Sequence, residues 1–243
     1  MKRYAINKLI EWKNKTKHKP LIIRGARQVG KTWLMKEFGK TEYKKTIYIN
    51  FELEKLMCDL FSLDFDTRRI IEGLELAYSK IDAKNTLIIL DEIQECPKAL
   101  TALKYFYENS PEYNIVAAGS LLGVAIHENI SFPVGKVDFL DLYPLSFLEF
   151  LEAIGENNFV KLLKSPTSPN LKIFKEKYID WLKKYYYIGG MPEVVSVFVE
   201  TNDFKKVRKI QENILDAYTK DFSKHISLTG KLKIDLLWES IPN

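Results

Sequence analysis

Cysteine is almost absent from the 243-residue chain: Cys58 and Cys96 are the only two. They stand far apart in sequence and have no partners for a metal motif. Two buried, reduced thiols are therefore expected, in keeping with a cytoplasmic location. No apolar run reaches the roughly 18 residues that a membrane span needs. Met1-Lys2-Arg3-Tyr4-Ala5 is not followed by an apolar core, so no secretory signal is expected. Internal repeats and low-complexity tracts are missing as well. What remains is an ordinary globular balance, 46% hydrophobic and 28% charged.

The net charge of +5 is unevenly placed. Residues 1–45 hold 14 Lys and Arg against 3 acids, and the remainder holds 23 against 29. A basic segment of this kind can meet nucleic acid or lipid. Lys13, Lys15, Lys17 and Lys19 read first as a solvated helix end and turn, with nucleic-acid contact as the alternative.

Apolar spacing predicts an amphipathic helix over 4–17, then a buried strand over 21–23. A helix over 32–38 follows, with Gly39 as its stop. Further strands are expected at 46–51, 86–90, 114–118 and 137–142, with helices at 54–61, 67–80 and 97–108. Apolar strands alternating with helices imply an α/β fold, a three-layer core with a parallel sheet. After Pro144 the pattern turns helical, at 146–154, 171–187, 193–199, 204–220 and 231–240. The chain therefore divides into an α/β core over 1–144 and a mostly helical, lid or winged-helix-like domain over 145–243.

Gly25-Ala26-Arg27-Gln28-Val29-Gly30-Lys31-Thr32 fits G-x-x-x-x-G-K-[ST] without departure. It follows a predicted strand and opens a predicted helix, the context a phosphate loop requires. Glycines let the backbone curl so that its N–H groups face phosphate, and the helix N-terminus adds positive potential. Lys31 is placed to reach the terminal phosphates of ATP, and the Thr32 hydroxyl to ligate Mg2+. Trp33 follows on the first helical turn as a further nucleotide contact. Leu87-Ile88-Ile89-Leu90-Asp91-Glu92 is an apolar strand ending in two carboxylates. Parallel strands end at the ligand edge, so Asp91 is expected beside the loop as a metal ligand and Glu92 as the general base. Ser120, at the end of the next strand, is placed to contact the water or γ-phosphate; a cap for a helix over 121–126 is the alternative, and the two roles are compatible.

These residues resemble the AAA+ superfamily of P-loop ATPases, and more narrowly an archaeal and bacterial AAA-like group. The resemblance is carried by residues 25–32 and by Tyr48-Ile49-Asn50-Phe51-Glu52, Leu90-Asp91-Glu92-Ile93-Gln94 and Ala118-Gly119-Ser120-Leu121-Leu122. It continues through Ser131-Phe132-Pro133-Val134-Gly135-Lys136-Val137, Leu142-Tyr143-Pro144-Leu145-Ser146-Phe147 and Gly189-Gly190-Met191-Pro192-Glu193. It implies that Ser120 is a sensor and that Gly190-Met191-Pro192 is a lid element contacting nucleotide through Pro192, with Gly190 free to adopt a left-handed backbone; a plain inter-helix turn is the alternative. It also implies a further C-terminal, restriction-endonuclease-like domain beyond this chain. Relatives carry arginine where Lys136 stands, and a lysine lacks the bidentate fork. Of the six arginines, Arg27 and the pair Arg68-Arg69 are the remaining candidates for a finger or sensor, with a solvated helix face as the first reading of Arg68-Arg69.

The expected activity is slow ATP hydrolysis by a switch or motor that moves the helical domain and an attached effector. The expected partners are ATP and a second copy or partner protein. A nucleic-acid-directed ATPase, an ATP-binding module with little hydrolysis and a small-molecule kinase stand as alternatives.

Overall fold

The computed structural model describes residues 1–119, 133, 135–165, 167–222, 233–234, 236–238 and 240. Contacts divide the chain into two units, Arg3–Tyr143 and a second formed by Met1–Lys2 with Pro144–Asn243. In the first, strands β1 (Leu21–Arg24), β2 (Lys45–Asn50), β3 (Thr86–Asp91), β4 (Asn114–Ala118) and β5 (Asp138–Asp141) form one sheet in the order β2-β3-β4-β1-β5. Every pairing is parallel. Helices α1 (Ala5–Lys13), α2 (Lys31–Glu42), α3 (Lys55–Ser62), α4 (Thr67–Tyr78) and α5 (Pro97–Asn109) accompany it.

Period-two alternation sorts the strand side chains between two cores. Ile88 and Leu90 pack with Phe61, Ile70, Leu74, Leu103 and Phe106 from α3, α4 and α5. Leu87 and Ile89 pack with Leu9, Trp12, Leu34, Met35 and Phe38 from α1 and α2. The interior strands β3 and β4 are buried at every position, whereas the edge strand β2 alternates. The expected three-layer parallel α/β core is therefore present.

Two local expectations change. Gly39 does not stop α2, which runs on to Glu42. A Cβ at Gly39 would lie 2.4 Å from Thr46 Oγ1, so the glycine serves the close approach of α2 to β2. Cys58 and Cys96, expected as separate reduced thiols, are joined as a disulfide, with Cα atoms 5.5 Å apart. The chain between them folds α3 back against the N-terminus of α5, a proximity that spacing in sequence does not express.

The second unit holds α6 (Phe147–Ala153), α7 (Asn157–Leu163), α8 (Asn170–Ile173), α9 (Lys175–Ile188), α10 (Pro192–Thr201) and α11 (Phe204–Phe222). Its core comprises Leu145, Phe150, Ile188, Val194, Val195, Phe198, Val207 and Ile214. A capping box opens α6, with Ser146 Oγ accepting from the Glu149 N–H and the Glu149 carboxylate accepting from the Ser146 N–H. The short helix α7 was not legible in the spacing, and the helix expected over 171–187 is divided at Phe174. Of the helix expected at 231–240, residues 233, 234 and 236–238 are helical, while 231, 232, 235 and 239 lie outside the described residues. Among the described residues no helix is long and apolar enough to cross a membrane.

Gly189, not Gly190, has the left-handed backbone, with φ +75° where it ends α9. Gly190 is required for a different reason: a Cβ there would sit 2.3 Å from the Leu145 carbonyl oxygen. The Leu145 N–H donates to the Gly190 carbonyl at 2.7 Å. Gly190→Ala is expected to lower unfolding stability by about 1–3 kcal/mol, the usual cost of overpacking. A thermal or urea melt checks this, and an unchanged midpoint would contradict the contact.

Candidate functional site

The loop after β1 reverses direction within six residues, and its backbone shows how. Gln28 and Gly30 both have positive φ, +61° and +97°, and Gly30 leads directly into α2. At Gly25 space is the constraint, since a Cβ would lie 2.3 Å from the Leu142 carbonyl oxygen. Val29 is fully buried beneath the loop, while Ala26 and Gln28 are exposed and Arg27 is half-buried. Arg3 holds the loop from below: its Nη1 donates to the Val29 carbonyl at 2.9 Å and its Nη2 to the Tyr143 carbonyl at 2.6 Å. Sequence reasoning missed Arg3, because nothing local marks a residue that acts across 26 positions.

Lys31 is 7% exposed and its Nζ donates to the carbonyls of Gly25 and Ala26, at 2.9 and 2.8 Å. These two bonds bend the ammonium back over the loop and leave its third donor outside them. Burial lowers the Lys31 pKa; Glu92 and Asp91 oppose that shift and Arg27 adds to it.

β3 brings the acidic pair to the same place. Asp91 is 2% exposed at the strand end. Its Oδ2 accepts from the Thr32 hydroxyl at 2.7 Å and from the Tyr48 hydroxyl at 2.9 Å. Its Oδ1 accepts from the Glu92 N–H at 3.1 Å. Tyr48 comes from β2, whose register sets Tyr48 against Ile89 and Asn50 against Asp91. Burial, and then the bond to Asp91, push the Tyr48 phenol up to about 12, so it remains a hydrogen-bond donor at neutral pH. In the sequence Tyr48 stands out only as part of a motif; its contact with Asp91 depends on strand register. Glu92 adopts a left-handed backbone, φ 49° and ψ 46°, and its Oε2 accepts from Gln94 Nε2 at 2.6 Å.

The fold thus gathers residues 25–32, Asp91 and Glu92 at the C-terminal edge of the sheet. Trp33 stands on the first turn of α2, 43% exposed. Ser120 and the expected helix after it lie outside the described residues. Pro192 belongs to the second unit, where it opens α10. Lys136 precedes β5, whose Asp138 pairs with Leu21, the first residue of β1. It therefore sits at the opposite end of the strands from its own phosphate loop, against Glu108 at 3.0 Å. Arg69 is engaged with Asp64 and the Leu60 carbonyl, which ties α4 to α3 rather than to the loop. Lys13 pairs with Glu42 and Lys15 with Asp138.

Chemically, the site offers backbone N–H groups and one ammonium for an anion, and a hydroxyl and a carboxylate for a hard cation. Hydroxyl and carboxylate oxygens are the donor set that magnesium takes, usually alongside waters and phosphate. Thr32 and Asp91 already point at each other, so the residues fit such an ion.

Residues 17–151 match the family described as AAA domain. Residues 179–243 match a domain of unknown function, DUF8612. Among solved structures, the chain is similar to the Walker-type ATPase PABY2304 of Pyrococcus abyssi, at 17% identity and a TM-score of 0.51, covering 97% of this chain and 75% of that one. It is also similar to AMPPCP-bound DnaA from Aquifex aeolicus, at 14% identity and a TM-score of 0.47, covering 91% and 68%. At 17% identity the likeness to the Pyrococcus ATPase speaks for the fold alone. No curated protein matches.

Proposed function

This chain belongs to the AAA domain family of P-loop ATPases, and we propose that it hydrolyses ATP with magnesium as a slow switch or motor acting on its helical unit. The observation that carries the reading is the 2.7 Å bond between Thr32 Oγ1 and Asp91 Oδ2. It joins the hydroxyl that opens α2 to the carboxylate that ends β3, across 59 residues. A glycine turn without a ligand has no use for a buried carboxylate at that point, since burying a charge is costly even when two hydroxyls and an N–H donate to it.

In this reading the loop N–H groups and Lys31 bind the phosphates. Thr32 and Asp91 are the residues that would hold magnesium, and the ion would supply charge neutralisation at the phosphate oxygens. Glu92 accepts the proton of the attacking water as its oxygen bonds to the γ-phosphorus and the bond to the β–γ bridging oxygen breaks. Gln94 fixes one oxygen of that carboxylate and leaves the other for the water. Lys136, at the far end of the strands, serves only a nucleotide bound by a second copy, and as a lysine it does so weakly. Titration of ATP in the presence of magnesium, together with phosphate release, tests the reading. Tight binding with no release would leave a binding module.

The Tyr48 contact yields a further expectation. Tyr48→Phe removes one of two hydroxyl donors on Asp91 Oδ2 and keeps the ring. The magnesium concentration for half-maximal turnover is expected to rise by about tenfold, the lower end of the usual cost of losing an outer-shell partner. An unchanged magnesium dependence would separate Tyr48 from metal binding.

A nucleic-acid-directed ATPase is the second reading, favoured by one groove. Lys13, Lys15, Lys17 and Lys84 line a space of about 690 Å³ together with Glu108 and Glu112. The acids beside Lys13 and Lys15 offset part of its charge, which keeps this reading second. Salt-dependent binding of labelled DNA and its stimulation of turnover distinguish the two.

A further inference from the structure

The chain has two cysteines, and the fold brings both to the turn that carries Glu92. Cys58 lies in α3; Cys96 follows the 3-10 turn Ile93–Glu95 and caps α5. They are 38 residues apart in sequence and joined with a Cα separation of 5.5 Å, well within what a disulfide spans. Cys96 is fully buried, whereas Cys58 is half-buried. The Cys58 sulfur also lies 4.0 Å from the Glu95 carbonyl oxygen.

That turn is held in a conformation few residues adopt. Glu92 is left-handed without being glycine, a state that persists where the surroundings over-determine it. On the β3 side it is held by the Glu92 N–H on Asp91 Oδ1. Within the turn, Gln94 bonds the Glu92 carboxylate, and the N–H groups of Glu95 and Cys96 donate to the carbonyls of Glu92 and Ile93. On the α5 side the covalent link from Cys96 to Cys58 anchors the turn to α3.

We propose that the Cys58–Cys96 pair is a reversible redox link that sets the rigidity of the Glu92 turn, so that ATP turnover follows the surrounding thiol–disulfide balance. This rests on the reading of Glu92 as the base. The oxidant is a low-molecular-weight disulfide such as oxidised glutathione. The thiolate of Cys58, the less buried residue of the two, attacks it; one sulfur–sulfur bond forms, one breaks, and the small thiolate that leaves takes up the proton Cys58 gave away. Cys96, as its thiolate, then attacks the Cys58 sulfur and expels the second small thiolate, which is protonated in turn. Two protein thiols are oxidised and one small disulfide is reduced to two thiols. Reduction enters in reverse at Cys58. Loss of the link removes one anchor from the Glu92 turn, so the reduced protein holds its carboxylate less well and turns over more slowly.

The test uses the full chain equilibrated in glutathione buffers from reducing to oxidising. Thiols are counted by alkylation and mass, turnover by phosphate release, and rigidity by hydrogen exchange over residues 92–96. The oxidised protein is expected to show no alkylatable thiol, slower exchange over those residues, and turnover about three- to tenfold faster, within what small misplacements of a catalytic group cost. KM for ATP is expected to stay unchanged. Cys58→Ser and Cys58→Ala are each expected to match the reduced protein in every buffer. Two alkylatable thiols in oxidised glutathione, or equal exchange in both states, would overturn the link. Equal turnover despite different exchange would overturn its coupling to the reaction. No turnover in either state would overturn the proposal through the Glu92 reading, and the exchange difference would distinguish that failure from loss of the link.

Discussion

Lys31→Ala is expected to weaken ATP binding by about 10- to 100-fold and to abolish hydrolysis. One charge-assisted contact to phosphate is worth about 1.5–3 kcal/mol, and each 1.4 kcal/mol is about tenfold in affinity. Lys31 also ties the carbonyls of Gly25 and Ala26 together. Its loss therefore loosens the loop as well as removing the cation, and both effects act in the same direction. Calorimetric titration with ATP and magnesium measures the first effect and phosphate release the second. Unchanged affinity would mean that the loop is not the nucleotide site.

Glu92→Gln is expected to keep ATP affinity and cut turnover by about 100-fold or more, the scale on which a general base acts. The amide preserves the shape, and its oxygen can still accept from Gln94, the bond made by Glu92 Oε2 at 2.6 Å in the wild type. What it cannot do is take the proton from water. Steady-state turnover beside direct ATP titration separates the two effects. Near-normal hydrolysis would move the catalytic role elsewhere, or show that the wild type is itself almost inactive.

The two substitutions differ in what made their positions legible. The phosphate loop is written within eight consecutive residues, because curling a backbone around an anion is a local problem with a local solution. The place of Asp91 and Glu92 followed from one further rule, that parallel strands deliver their C-terminal ends to one edge. The contacts that hold these residues were not legible. Tyr48 reaches Asp91 through the register of β2 on β3, and Arg3 reaches Tyr143 across 140 residues. No periodicity carries a distance of that kind. The glycines show the same division. Gly39 in α2 resembled a helix stop, yet the helix runs on to Glu42, and the residue is glycine because Thr46 on the neighbouring strand leaves no room for a side chain. Gly190 suggested a backbone freedom that Gly189 uses instead.

By itself the sequence determined the class of fold and the position of the phosphate loop. Apolar periodicity and glycine spacing act over one element at a time, so they survive without a neighbour in view. Only the tertiary structure decided that Cys58 meets Cys96, that Tyr48 and Thr32 share one carboxylate oxygen, and that Lys136 stands at the far end of the sheet from Lys31. Each of these is a meeting of residues from different elements. Such meetings are settled by strand order and by which helix covers which face, through hydrophobic packing that depends on the whole chain and not on any single stretch of it.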